Sequence, residues 1–173
     1  FCDVIVGDYN YVYDPTAKLK RYFSEGLKND FAVLVDEAHN MVDRAREMYS
    51  AELTSGELSF ITGLFKNKKS AFKNAASKIK RKMKELNKAP DEGGEAAVYD
   101  KLPDSFFHAL NDFSIEADKW LAMNEGGGSF SQVMDIYFNI LDFLRIQEYY
   151  DERYVSVVHQ NGKNIIVKLM CID

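Results

Sequence analysis

The sequence predicts a mainly α chain: antiparallel helices attached to a small partial α/β sheet at one end and to a C-terminal β-hairpin at the other. Three observations predict it. Two β-branched runs, Val4–Val6 and Phe31–Val35, flank an amphipathic stretch, while from Asn40 to about Tyr150 apolar residues recur at helical spacing. Beyond that, two β-rich segments, 154–159 and 163–172, are joined through Gln160-Asn161-Gly162.

Each element has a local reason. The first run leads into Gly7-Asp8-Tyr9-Asn10-Tyr11-Val12-Tyr13-Asp14-Pro15, rich in turn residues, and Pro15-Thr16 suits the opening of a helix over 16–29 with Leu19, Tyr22, Phe23 and Leu27 on one face. A strand, helix, strand order favours a parallel pair covered on both faces, which accounts for runs that are unbroken rather than alternating. Helices follow over 41–49 and 55–65, the second opened by Ser55 and striped by Leu58, Ile61 and Phe65. A third over 70–87 carries Phe72, Ile79, Met83 and Leu86 on one face and is ended by Pro90-Asp91-Glu92-Gly93-Gly94. The fourth begins near Pro103-Asp104 and bears Phe106, Phe107, Phe113 and Trp120 as core; Gly126-Gly127-Gly128 separates it from a fifth over 129–150. Asn-Gly predicts a type I′ turn in the closing hairpin.

At 173 residues, 46% apolar and 13% aromatic, the chain can build one sizeable core. A net charge of −5 argues against a surface that grips nucleic acid everywhere, but leaves room for a local basic patch. Cys2 and Cys171 cannot supply a disulfide framework, and His108 and His159 lack a second ligand at metal-binding spacing. No apolar stretch approaches the roughly 18 residues of a membrane span. The chain opens on Phe1 with neither an initiator methionine nor a signal peptide, so it reads as a piece of something longer, with a cytoplasmic location expected.

The chemistry is concentrated in Val33-Leu34-Val35-Asp36-Glu37-Ala38-His39. A carboxylate at the carboxyl end of a buried parallel strand lies where ligands bind in open α/β sheets. A strand-end aspartate is also how nucleoside triphosphatases hold Mg²⁺, and a following glutamate is placed to orient the attacking water. The competing explanation is a strand leading to a charged helix start, with Asp36 as cap.

Asp3-Val4-Ile5-Val6, then Asp8-Tyr9-Asn10-Tyr11 with Asp14-Pro15, then the Asp-Glu-Ala-His-Asn string resemble the first motor domain of XPD/DinG-type superfamily 2 DNA helicases. The resemblance implies that residues 1–41 are part of motor domain 1 with its DEAH box. Residues 42–152 would be the helical arch domain, and 153–173 a hairpin and strand returning to the motor. It makes Asp36 the Mg²⁺ ligand through ATP, Glu37 the catalytic carboxylate and His39 the coupling residue, with Tyr9, Asn10 and Tyr11 beside single-stranded DNA. It further implies 5′ to 3′ movement, a partnership with the rest of the motor and a 4Fe-4S cluster. This chain holds none of that cluster's four cysteine ligands and no G-x-x-x-x-G-K-[ST] phosphate cradle, so alone it is not expected to hydrolyse ATP.

One further segment stands out. Between positions 66 and 88 ten basic residues face a single acid, Glu85, a local +9 that leaves −14 for the remainder. Lys66, Lys69, Lys73, Lys80 and Lys84 fall on roughly one helix face, a candidate track for a DNA backbone or else a solvated face. A different class of function remains open: a non-enzymatic helical module for protein interaction or DNA guiding, with an incidental DEAH string.

Overall fold

The computed structural model describes residues 4–23, 31–66, 68–88 and 96–173. They form two compact units, 1–49 and 50–173, each considered by itself. The class is mainly α with a small sheet, as predicted, and the C-terminal hairpin forms within that sheet, whereas the predicted N-terminal parallel pair does not.

In the first unit the described elements are short: α1 (Asn10–Tyr13), α2 (Lys20–Phe23), a 3-10 turn over Ala38–Asn40 and α3 (Met41–Met48). Asp8 and Asp14 organise the first of these by side-chain turns. Asp8 Oδ1 accepts from the Asn10 N–H at 2.9 Å, and Asp14 Oδ1 accepts from the Thr16 and Ala17 N–H groups at 2.7 and 3.1 Å. The parallel pair does not form: neither Val4–Val6 nor Phe31–Val35 is a strand, and Val6 and Leu34 are 93% and 96% exposed. The physical reason is that a parallel pair needs helices over both faces, and the described residues of this unit supply no such layers. The predicted helix over 16–29 is seen only as Lys20–Phe23; its second half, the loop 90–94 and Cys2 lie outside the described residues.

The second unit holds β1 (Ala51–Thr54), α4 (Ser55–Leu64), α5 (Ala71–Leu86), β2 (Ala96–Tyr99), α6 (Asp104–Met123), α7 (Phe130–Glu148), β3 (Tyr154–Asn161) and β4 (Asn164–Cys171). Its sheet is antiparallel throughout, in the order β1-β4-β3-β2. The closing hairpin belongs to this sheet: β4 pairs with β1, Leu53 opposite Val167, which binds it to the helices. The boundary between the compact units falls at 49/50, so α3 lies in the first and residues 153–173 in the second.

Neighbouring helices pack in chain order, α4 on α5, α5 on α6 and α6 on α7, and α4, α5 and α7 also meet the strands. Alternation along the strands aims Leu53, Ala97, Tyr154, Val158, Ile165, Val167 and Leu169 at this layer. Phe106, Phe113 and Phe143 are fully buried between helices, with Phe72 5.0 Å from Phe113 ring to ring.

Two serines bracket β1. Where the strand gives way to α4, the Ser55 hydroxyl accepts from the buried Ile165 N–H at 2.9 Å, and at the other end the Ser50 hydroxyl accepts from the Cys171 N–H at 3.0 Å. The cap of α4 is Thr54, not Ser55. Its Oγ1 accepts from Gly56 N–H, while Glu57 Oε2 accepts from Thr54 N–H at 2.9 Å and Oε1 takes the Asn139 amide of α7 at 2.7 Å. The hairpin turn also differs from the predicted one. Asn161 pairs with Asn164, so the central residues are Gly162-Lys163, and only Gly162 has positive φ, at 59°, the pattern of a type II′ turn.

Ser55→Ala, which strands a buried donor, should lower the stability of the second unit by about 1–3 kcal/mol in chemical denaturation. Phe113→Ala should cost about 3–5 kcal/mol in the same measurement. Burial, followed by the Cys171 thiol, pushes the Tyr154 hydroxyl up to about 12. Its folded value thus lies above the ordinary value of about 10, so the stability it contributes is complete below pH 10 and lost as pH rises through 12. Tyr154→Phe should flatten that alkaline decline.

Candidate functional site

The string singled out from sequence lies on the surface of the first unit. Asp36 ends an irregular extended segment, and its Oδ1 accepts from the Glu37 N–H at 2.9 Å, leaving the second oxygen facing solvent. Glu37 has φ 52° and ψ 35°, the left-handed region, and among the described residues it is the one non-glycine with positive φ. That conformation costs of order 1–2 kcal/mol for an L-residue. Its effect is to turn the chain sharply, so that the Glu37 carboxylate comes 3.2 Å from Nδ1 of His39, both side chains about 70% exposed. The 3-10 turn then runs directly into α3, with the Asn40 N–H donating to the Glu37 carbonyl at 3.0 Å. The structure thus brings Glu37 and His39 together and sets Asp36 beside them in the chain, but not at the end of a paired strand.

Tyr9, Asn10 and Tyr11 sit on the α1 turn, Tyr9 and Asn10 half-buried and Tyr11 47% exposed. Their surroundings include Arg44 of α3. Its guanidinium is raised above its ordinary value first by the hydrogen bond to Glu47, 2.9 Å away, and then by Tyr9 and Asp8.

The lysines divide into three groups in the second unit. Lys73 donates to the Phe65 and Lys66 carbonyls at 2.8 and 3.3 Å, just past the C-terminus of α4, where a cation also suits the helix dipole. Lys78 pairs with Asp112 of α6 at 2.7 Å, and Lys82 and Arg81 converge on Glu85 at 3.2 and 3.9 Å. Lys69, Lys80 and Lys84 make no ion pair among the described residues; Lys69 lies in the turn before α5, the other two on the helix. Sequence reasoning could not see this division, because Asp112 and the Phe65 carbonyl are separated from their lysines along the chain.

Asp36 and Glu37 are exposed carboxylates suited to a divalent cation carried by a nucleotide, with no phosphate cradle among the described residues of the unit. No group of three or more histidine, cysteine or acidic side chains among the described residues is arranged to hold a metal by itself. Cys171 is a free thiol, 3.3 Å from the Asp173 carbonyl. No helix among the described residues is long and apolar enough to cross a membrane.

No curated protein matches the chain. The DEAD_2 family model matches residues 1–58, a third of the chain, which takes in the whole first unit and ends within α4. That match supports a helicase-like family of the Rad3/XPD type for this segment.

Proposed function

We propose that the chain is the DEAH-bearing part of motor domain 1, together with the arch insertion, of an ATP-dependent DNA helicase of the XPD/DinG type that moves 5′ to 3′ along single-stranded DNA in the cytoplasm. One observation carries the reading: the DEAD_2 match spans the segment that holds Asp36-Glu37-Ala38-His39. The left-handed backbone at Glu37 adds support, since such strain persists where a site needs it.

Magnesium-bound ATP supplies an electrophilic phosphoryl group whose developing charge is neutralised. Toward it, the free oxygen of Asp36 is the ligand this chain offers. Glu37 orients and deprotonates the attacking water, and His39, already beside the Glu37 carboxylate, holds that carboxylate in position and carries its state into α3. Tyr9, Asn10 and Tyr11 lie along the DNA, with Lys69, Lys73, Lys80 and Lys84 of the helical unit as further candidates for contact. The phosphate cradle, the second motor domain and the ligands of a 4Fe-4S cluster belong to the rest of the helicase, because two cysteines cannot supply four ligands. The 173 residues alone are inactive as an ATPase.

The unpaired runs Val4–Val6 and Phe31–Val35 favour a second reading, a non-enzymatic helical module in which the DEAH string is incidental. One experiment separates the two. In the longer protein carrying this segment, Glu37→Gln should lower DNA-stimulated ATP hydrolysis by about 10²–10⁴-fold, and Asp36→Asn should do likewise while raising the Mg²⁺ requirement. Hydrolysis unchanged in both variants overturns the helicase reading in favour of the module.

A further inference from the structure

We propose that Asn161, at the tip of the closing hairpin, is a site of spontaneous modification: in the folded protein the Gly162 backbone nitrogen attacks its carboxamide and converts it, through a cyclic imide, to an isoaspartyl or aspartyl residue. The inference rests on the hairpin alone and is independent of the helicase reading.

Attack on a side-chain amide by the next main-chain nitrogen needs a nitrogen that no Cβ shields, an N–H free of hydrogen bonds, and an amide free to turn. Asn161 is the one asparagine followed by glycine; every other is followed by a residue with a side chain. Gly162 has φ 59°, and the space where a side chain would lie is open. In the two-residue loop closed by Asn161 and Asn164, the Gly162 N–H falls outside the ladder and finds no acceptor among the described residues. The Asn161 side chain is exposed and makes no hydrogen bond among the described residues. Elsewhere the fold engages the amide. Asn111 donates to the Phe107 carbonyl at 3.1 Å, Asn124 to the Trp120 carbonyl at 2.7 Å and Asn139 to Glu57 at 2.7 Å. Asn161 also ends its strand, so only the last pair of the ladder has to open for its backbone to turn.

Hydroxide takes the Gly162 N–H proton, and the nitrogen forms a bond to Cγ of Asn161. The Cγ–Nδ2 bond then breaks, and Nδ2 takes up a proton from water and leaves as ammonia. Water opens the imide at either carbonyl. Opening at Cγ leaves an aspartyl residue; opening at the main-chain carbonyl leaves an isoaspartyl residue, with the chain rerouted through the side chain. The sum is one water consumed and one ammonia released. The isoaspartyl product lengthens the main chain within a loop of two residues, whose register positions the neighbouring β4 groups. The Asn164 carboxamide lies against Gly56 at the start of α4, where an added Cβ would meet it at 3.1 Å, and the Ile165 N–H donates to Ser55 at 2.9 Å. The modification thus loosens the junction of β4 with α4.

The test is peptide mapping by mass spectrometry of the folded 173-residue chain, aged in mildly alkaline buffer. Trypsin releases residues 154–163 as one peptide. That peptide should gain the mass difference between an amide and an acid, with isoaspartyl in excess, before any other asparagine-bearing peptide changes. The rate should rise about tenfold per pH unit, since the deprotonated amide is the nucleophile. Asn161→Gln, whose attack would need a larger ring, should abolish the gain, with matched circular dichroism showing that it is folded. Aged wild type should unfold at lower denaturant than Asn161→Asp, which adds the charge without lengthening the chain. An unchanged peptide in the folded chain, while a synthetic peptide of residues 154–163 converts in the same buffer, overturns the proposal. So does an equal gain in Asn161→Gln, a rate independent of pH, or aged protein as stable as Asn161→Asp.

Discussion

The second unit depends on how the central strand β4 finds a partner on its outer side. β3 satisfies one edge through the hairpin, but the other edge would present a row of unpaired backbone groups. Four residues, Ala51–Thr54, cover it, and the hydroxyls of Ser50 and Ser55 accept the two flanking donors that so short a strand cannot reach. This solution forces the next step. Because Ser55 is used as an acceptor at the first position of α4, the helix must start there, and Thr54 must serve both as the last strand residue and as the cap. Glu57 completes the capping box with one carboxylate oxygen and ties in α7 with the other. A strand edge, a helix start and a contact between helices are thus fixed within eight residues.

That economy explains which parts of the fold are legible in the sequence. The helices α4 to α7 are long enough for period 3.6 to declare itself, and Phe72, Ile79, Met83 and Leu86 lie inward as their spacing predicts. β1 and β2 are invisible, because Ala-Glu-Leu-Thr and Ala-Ala-Val-Tyr have neither the length nor the composition of strands. They exist because the β3–β4 hairpin offers two edges to pair with, a tertiary cause no local window contains. The hairpin turn is one residue off for a related reason. Asn161-Gly162 is the stronger local signal, but the register that buries Tyr154, Ser156 and Val158 against Ile165, Val167 and Leu169 fixes the loop as Gly162-Lys163.

The first unit shows the converse case. Its apolar runs read as buried strands because unbroken valine and leucine are costly in water, yet neither run is a strand and most of their side chains are exposed, with Phe31 resting edge-on against Phe23. What was legible there was chemical identity rather than placement. The order of Asp36, Glu37 and His39 is in the sequence, while the left-handed turn that folds Glu37 back toward His39 is not. A non-glycine at positive φ carries no local signature, and the pairing it produces comes from backbone geometry.

The same limit applies to charge. A run of ten cations read from sequence is a sum, whereas binding depends on which of them still face water without a partner. Asp112 of α6 pairs with Lys78, Glu85 of α5 takes both Lys82 and Arg81, and the Phe65 carbonyl oxygen after α4 holds the Lys73 ammonium, so the cations of the run differ in how far each is paired.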